Sequence, residues 1–413
     1  MPLIKLDVHD RRLLEIFDEK AELDTISAGH RFLEGPVWHP HDKHLRFSDI
    51  KGNATLQWSE SSGLCVYRDN SHMANGNTYD RQGRLLSCHH ASSRVTRMDD
   101  DETMTVLASH YQGKELNSPN DIVVKSDGAI YFSDPPYGRE AKVGIPREPH
   151  LNFNGVYRLD PGDNTLTLLV ADFNRPNGLC FSPDESLLYI NDTPESLIRI
   201  FEIEADGSLA NGRLFAKTGG DGPGGPDGMK TDSEGNVYCC AAGGLHVFAA
   251  DGAFLGRLRT PMQVTNFTFG DEDLRGIYLT GITTLYRVRA RIAGSQQGLG
   301  GGQYIARYGR AFQINDQVDE VFDAADQLVG SLHRFLQLFP IPFRFEFKKD
   351  DRLLFVVPAG DYRHLVNPVA RSKLHIAIRK IMPGVASDSS IILPCRGDTV
   401  QFKRAGTGQF ETI

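Results

Sequence analysis

Along the first 290 residues, short apolar, β-rich runs are separated by turns rich in Gly, Pro and Asp. A recurring phrase organises them: Glu34-Gly-Pro-Val-Trp, Ala74-Asn-Gly-Asn-Thr, Pro119-Asn-Asp-Ile-Val, Pro176-Asn-Gly-Leu-Cys, Pro226-Asp-Gly-Met-Lys and Val264-Thr-Asn-Phe-Thr. Each phrase opens one strand, and a turn such as Asp80–Gly83 or Ser126–Gly128 leads into a second. The expected second strands are Leu85–Cys88, Ala129–Ser133, Leu187–Asn191, Val237–Cys240 and Gly276–Thr280. The phrases start 38 to 57 residues apart, the period of a four-stranded propeller blade. One such blade cannot bury both faces of its sheet, so six phrases predict six blades packed around a channel. The first strand of each blade then lies innermost, and the phrases converge near the channel mouth. The N-terminal segment is expected to complete the last blade, because closing the ring removes exposed sheet edges.

Two inserts interrupt the rhythm: His110–Ser118, which leads into the third phrase, and Pro135–Asn154. Long loops on a rigid scaffold commonly line pockets. After about residue 310 the pattern changes. Val318, Val321, Phe322, Ala325, Leu328, Val329, Leu332, Phe335 and Leu336 fall on one side of a helix over Gln317–Gln337. Ile341, Phe343, Phe345 and Phe347 alternate with polar residues, as in a strand with one buried face, and Arg352–Val357 is its expected hairpin partner. Asn367-Pro368 opens a second helix to about Met382, and Ser389–Leu393 and Thr399–Lys403 read as two more strands. The expected architecture is therefore an all-β six-bladed propeller over residues 1–300, followed by a small α+β domain over 311–413. That domain is expected to shape substrate access or self-association into a homo-oligomer.

Composition narrows the function classes. The net charge of -8 is uneven: residues 1–310 hold 41 acids against 32 Lys and Arg, and the remainder holds 12 against 13. An acidic propeller disfavours nucleic acid as a partner and favours a cation. No apolar stretch approaches the length of a membrane span, and Met1–Asp7 carries charges where a signal peptide needs its apolar stretch. A cytoplasmic protein is the expectation. The six cysteines are scattered without a Cys-x-x-Cys pair and read as small buried apolar residues.

The repeats differ at one polar position, occupied by Glu34, Asn120, Asn177 and Asp227. Converging phrases would aim two carboxylates and two amides at one site. Two uncompensated carboxylates repel and raise a pKa, and a divalent cation removes the conflict. All-oxygen donors suit Ca²⁺, Mg²⁺ or Mn²⁺ better than a structural zinc site. The glycine that follows in several phrases suits a tight bend where the chain approaches a ligand. Other chemistries find little support. No Gly-x-Ser-x-Gly elbow frames a serine, no His-Glu-x-x-His helix is present, and no Gly-rich loop precedes Lys-Ser/Thr. His89 and His90 adjoin each other, so in a strand they face opposite sides and cannot easily share one ion. His89, with Tyr137 from the long insert, is taken as a candidate substrate contact.

The phrases Glu34–Trp38, Asn117-Ser-Pro-Asn-Asp121, Ser133-Asp-Pro-Pro-Tyr-Gly138, Arg175–Leu179 and Pro226–Met229 resemble those of the SMP-30/gluconolactonase/luciferin-regenerating-enzyme-like family over about residues 20–290. The resemblance implies a six-bladed propeller holding one divalent metal near the top of its channel, Ca²⁺ first, with Mg²⁺, Mn²⁺ or Zn²⁺ as alternatives. It implies Glu34, Asn177 and Asp227 as side-chain metal ligands, and Asn120 as the neighbouring residue that holds water or substrate. It also implies hydrolysis of a lactone, with Asp227 and Asn120 as the catalytic pair that positions the attacking water. Glu115, taken as a further candidate substrate contact, stands where sugar-lactone members commonly carry a substrate-binding arginine. That departure keeps two alternatives open, a hydrolase of a non-sugar lactone or ester and a non-catalytic binding propeller pinned by its metal.

Overall fold

Tight turns fold consecutive strands back on one another, and four runs of four strands each form one antiparallel sheet. The computed structural model describes residues 3–99 and 103–295, and the backbone of five further strands between residues 344 and 412. Blade 1 comprises Leu33–His39, His44–Asp49, Ala54–Ser59 and Gly63–Asp69. Blade 2 comprises Ala74–Tyr79, Leu85–His89, Arg94–Met98 and Met104–Ala108. Blade 3 runs through Ile122–Val124, Ile130–Asp134, Asn154–Leu159 and Leu166–Phe173. Blade 4 is Pro176–Phe181, Leu187–Asp192, Leu197–Ile203 and Leu209–Lys217. Blade 5 begins Met229–Thr231, Val237–Ala241, Gly244–Phe248 and Phe254–Arg259. Blade 6 supplies Val264–Gly270, Gly276–Gly281 and Thr284–Arg289.

The predicted six-bladed propeller is thus present, with the second strands within a residue or two of their expected bounds. Asp24–Ala28 pairs antiparallel with Thr284–Arg289 and completes blade 6, as expected of the N-terminal segment. One element goes beyond the sequence reading. Lys5–Val8 adds a fifth strand to blade 5 beside Phe254–Arg259.

Burial falls from the channel outward. Every residue of Pro176–Phe181 and Val264–Gly270 is buried, whereas the outermost strand of blade 1 is largely exposed. Aromatic side chains fill the wedges between blades. Trp38 of blade 1 stacks on Tyr278 of blade 6 at 5.5 Å, and Tyr131 of blade 3 meets the edge of Phe181 of blade 4 at 5.2 Å. Each fully buried side chain of this size contributes about 1.5–3 kcal/mol through apolar burial. Of the cysteines, Cys88, Cys180, Cys239 and Cys240 are buried and free as expected, but Cys65 is exposed on an outer strand.

A second device fixes the channel mouth. Asp49, Asp134 and Asp192 end the second strands of blades 1, 3 and 4. Asp49 accepts hydrogen bonds from the backbone of Arg31 and Phe32, Asp134 from Asn117, and Asp192 from Asn174 and Arg175, at 2.7–3.1 Å. Each carboxylate clamps the segment just before an innermost strand. Among the described residues no helix is long and apolar enough to cross a membrane.

The chain divides into two units, Met1–Tyr304 and Ile305–Ile413. In the second, Arg344–Lys348 pairs antiparallel with Arg352–Val356, and Ser390–Cys395, Asp398–Ala405 and Gln409–Thr412 form a three-stranded sheet. The helices expected over 317–337 and 367–382 lie outside the described residues.

Candidate metal centre and active site

The polar position of each phrase sits at the mouth end of its innermost strand. Glu34, Asn75 and Asn177 are the second residues of theirs. Asn120 and Asp227 precede short inner strands, but their N–H groups still bond to Ser133 O and Cys240 O at 2.9 Å, continuing the sheet. Neighbouring blades are stitched together at this level. Ser48 Oγ donates to Asn75 O at 2.8 Å, Ser133 Oγ to Asn177 O at 2.6 Å, and Asn191 Nδ2 to Asp227 O at 2.5 Å.

The glycines after the polar residues belong to the same stitching. A Cβ on Gly35 would lie 2.0 Å from Asn75 O, and one on Gly178 would lie 2.1 Å from Asp227 O. The close approach is therefore to the next blade's backbone, not to a ligand as the sequence reading had it. At Gly35 the positive φ of 51° adds a second requirement for glycine.

Glu34 is only 4% exposed and Asn177 5%, while Asp227 retains a partly exposed face. Burial pushes the Glu34 carboxyl up to about 7, against a 2.7 Å hydrogen bond from the Gly35 N–H; the nearby charge of Asp121 adds to the rise. Burial likewise raises Asp227, and the charges of Glu34 and Asp121 push the same way. Three carboxylates thus share a poorly solvated space, the situation a divalent cation relieves.

Asn177 supplies a direct test of fit. Its Nδ2 donates to Thr193 Oγ1 at 3.1 Å, and Thr193 in turn donates to Pro226 O at 2.7 Å. The amide is held by one end, and its Oδ1 is buried without a hydrogen-bond partner. A buried acceptor with no donor is costly unless a cation or water meets it. Glu34, Asn177 and Asp227 together make an all-oxygen donor set suited to a hard divalent ion.

A second group of possible donors lies elsewhere. His39, Asp42 and His44 bring ligating atoms within 4.8 Å of one another, at the turn between the first two strands of blade 1. It sits at the opposite end of the strand that carries Glu34. Burial pushes the His39 ring down to about 4 and that of His44 to about 2, leaving both neutral and able to ligate. Their nitrogens already have work, however. The Asp42 N–H donates to His39 Nδ1 at 3.0 Å, and His44 Nε2 pairs with the Tyr79 hydroxyl at 3.0 Å.

The expected substrate contacts divide. Tyr137, on the long insert, stands near Thr193, under Arg175 at 5.3 Å from its ring, and within range of the Asp227 charge. His89 is buried, with both ring nitrogens engaged. Its Nδ1 donates to Ser71 O and its Nε2 pairs with Thr96 Oγ1, both at 2.7 Å, so it plays in blade 2 the clamping part that Asp49 plays in blade 1. Glu115 is also committed. Buried Arg139 donates to its Oε2 at 2.6 Å while bonding to Leu116 O and Asn117 O. The carboxylate neutralises that guanidinium.

Three channel residues escaped the sequence reading. Asp121, buried, replaces the glycine of other phrases, and its Oδ2 lacks a partner. Lys230 offsets it electrostatically, and Asn266 hydrogen bonds lower both Asp121 and Glu34. Beyond them the channel widens into a cavity of about 170 Å³ lined by Trp38, Asn77, Tyr79, Val124, Lys230 and Phe269. The substitution of Asp121 for glycine was the one available signal.

Comparison with known proteins agrees with this geometry. Residues 32–283 match the model of the SMP-30/Gluconolactonase/LRE-like region. A gluconolactonase from Zymomonas mobilis is 31% identical over 70% of this chain and 87% of its own length. Pentonolactonase XacC from Haloferax volcanii is 28% identical over 62% of this chain and 83% of its own. The solved structure of a gluconolactonase from Xanthomonas campestris is 36% identical, with a TM-score of 0.65 over 70% of this chain and 95% of that one. The match spans the propeller and its channel mouth, and the chain belongs to the SMP-30/gluconolactonase/LRE-like family.

Proposed function

We propose that this chain is a divalent-metal-dependent lactonase that opens a small cyclic ester, with the cation held by Glu34, Asn177 and Asp227. The observation that carries the reading is the buried, unpartnered Oδ1 of Asn177, fixed opposite its Thr193 contact in a ring with two carboxylates of raised pKa. The family and the two lactonase relatives set the reaction class. Ca²⁺ is the favoured ion because the donors are all oxygen; Mg²⁺, Mn²⁺ and Zn²⁺ are the alternatives.

When bound, the cation supplies Lewis acidity toward the lactone carbonyl and acidity to bound water. The residues do the rest. Asp227, partly exposed, accepts a hydrogen bond from the attacking water and sets its approach. Asn120, fixed by its backbone bond to Ser133, orients the water and the ring oxygen. Tyr137 borders the substrate on the side of the long insert. Residues 311–413 serve as an α+β domain acting on access or self-association, outside the reaction itself.

The test is a pH-indicator hydrolysis screen across aldonolactones, aliphatic lactones and aryl esters, with and without added divalent ions. Turnover of at least one lactone, abolished by chelation and restored by Ca²⁺ or another divalent ion of this set, is expected. Metal-independent turnover, or none of any lactone, would sink the reading.

A further inference from the structure

We infer that Asn75 is a further substrate-side residue of this site, whose amide oxygen accepts a hydrogen bond from a hydroxyl of the lactone and is aimed by His90. The inference rests on the lactonase reading above and narrows its substrate class to a hydroxylated lactone.

Asn75 occupies in blade 2 the place that Glu34, Asn120, Asn177 and Asp227 occupy in theirs. Its carbonyl is packed against Gly35, the neighbour of Glu34, and the N–H of Gly76 donates to Asn120 O at 2.8 Å. The residue therefore stands between Glu34 and Asn120 in the ring. It lies on the arc away from Asn177 and Asp227. Its side chain is 3% exposed.

The orientation of that side chain follows from proton counting. His90 Nδ1 lies 3.0 Å from Val143 O, and a carbonyl can only accept, so Nδ1 carries the proton. Burial pushes the ring down to about 4, so it is neutral and holds one proton only. Its Nε2, 2.9 Å from Asn75 Nδ2, must then accept, and the amide must donate its N–H. Asn75 Oδ1 is left at the other end, buried and without a partner. With Nδ2 engaged, the free end of Asn75 can only accept. It recognises an O–H donor, which an unsubstituted lactone ring lacks.

His90 is itself immobilised by the long insert. A Cβ on Gly138 would lie 2.6 Å from that of His90, and Arg147 Nη2 donates to His90 O at 2.9 Å. The insert thus sets the ring, and the ring sets the amide. His90 acts through Asn75 and is a positioning residue.

The experiment pairs D-glucono-1,5-lactone with δ-valerolactone, a ring of the same size without hydroxyls, on the full-length metal-loaded protein. Asn75→Leu should lower kcat/KM for the gluconolactone about 10- to 100-fold and change that for valerolactone less than about threefold. His90→Phe should cost the gluconolactone about tenfold alone and less than about twofold on top of Asn75→Leu. His90→Gln, whose amide oxygen can accept from Asn75, should recover most of the loss. Nitrogen NMR of histidine-labelled protein should show His90 as the Nδ1-protonated tautomer, with its Nε2 signal moved by Asn75→Leu. Equal losses on both lactones, fully additive losses in the double variant, or the opposite tautomer would each overturn the inference while leaving lactonase activity intact. A wild-type protein inactive on both lactones and on the wider screen would instead fell the functional reading, and with it the substrate assignment.

Discussion

Glu34 and Asp227 face the same difficulty, a carboxylate taken out of water beside another carboxylate. Asp227 is the more informative of the two to remove. The neighbouring blade holds its backbone carbonyl through Asn191, not its side chain, so Asp227→Ala should leave the propeller folded. Metal affinity should fall at least about 100-fold, and turnover with it. Calorimetry returning wild-type affinity would exclude Asp227 as a ligand. The pH dependence follows from Glu34. Burial holds its carboxyl up at about 7, so at lower pH it is mostly protonated and must lose that proton to ligate. Apparent affinity should therefore rise with pH, by about tenfold per unit for each proton displaced, and level off only where Glu34 and Asp227 are both ionised. Proton release measured in buffers of different ionisation enthalpy checks the sign, and a flat profile from pH 5 to 7 would contradict it. At this scale the sequence was readable wherever a residue recurs at the same repeat position, which is how Glu34, Asn120, Asn177 and Asp227 stand out. It was unreadable where a role depends on a partner far along the chain. Adjacency shows that His89 and His90 face opposite ways, but only Val143, 53 residues on, decides that His90 serves the mouth. The pairing of Glu115 was hidden for the same reason, since its partner Arg139 belongs to the following insert.

Among the elements, the two N-terminal strands do different jobs. Asp24–Ala28 closes blade 6 and with it the ring, a role predictable because an open sheet edge is a liability. Lys5–Val8 is an addition to a sheet already four strands wide, and nothing in its four residues announces a partner 250 residues away. Its anchor is ionic. Asp7 takes hydrogen bonds from Arg257 Nε at 2.7 Å and Arg259 Nε at 2.9 Å, and both guanidiniums also reach Asp221. Arg257 is buried, but Asp7 and Asp221 are substantially exposed, so solvent screens much of the attraction. Removing residues 1–10 should therefore cost about 1–3 kcal/mol and lower the melting temperature by a few degrees, with the ring intact. Removing residues 1–28 should abolish cooperative unfolding, because blade 6 then exposes Thr284–Arg289 as a bare edge. Thermal scans of the two truncations distinguish these outcomes, and equal loss in both would mean that the ring does not depend on Asp24–Ala28.

For the whole molecule, the sequence placed a boundary near residue 310, and the chain divides between Tyr304 and Ile305. That expectation rests on the turn-punctuated rhythm of the blades, which stops there. The strands at Arg344–Lys348 and Arg352–Val356 pair as their alternation implied, whereas alternation carried no information about the third strand, Gln409–Thr412, beside Asp398–Ala405. The propeller is complete before this point. Its six sheets close through Asp24–Ala28, and the last described contact of its chain is the bridge between Asp232 and Gly294, backed by the N–H of Ser295 donating to Thr231 O. Each residue assigned to the metal or the substrate lies before residue 230, and every strand of the six blades lies before residue 290. A chain ending at Tyr304 should consequently fold, bind the divalent ion with unchanged affinity, and hydrolyse the lactone of the full-length protein with kcat within about threefold. What the C-terminal unit contributes should surface in sedimentation behaviour or in KM, the signatures of self-association and of access. A soluble, metal-loaded truncation that turns over nothing would place part of the reaction machinery beyond residue 304 and overturn the division of labour drawn from the ring.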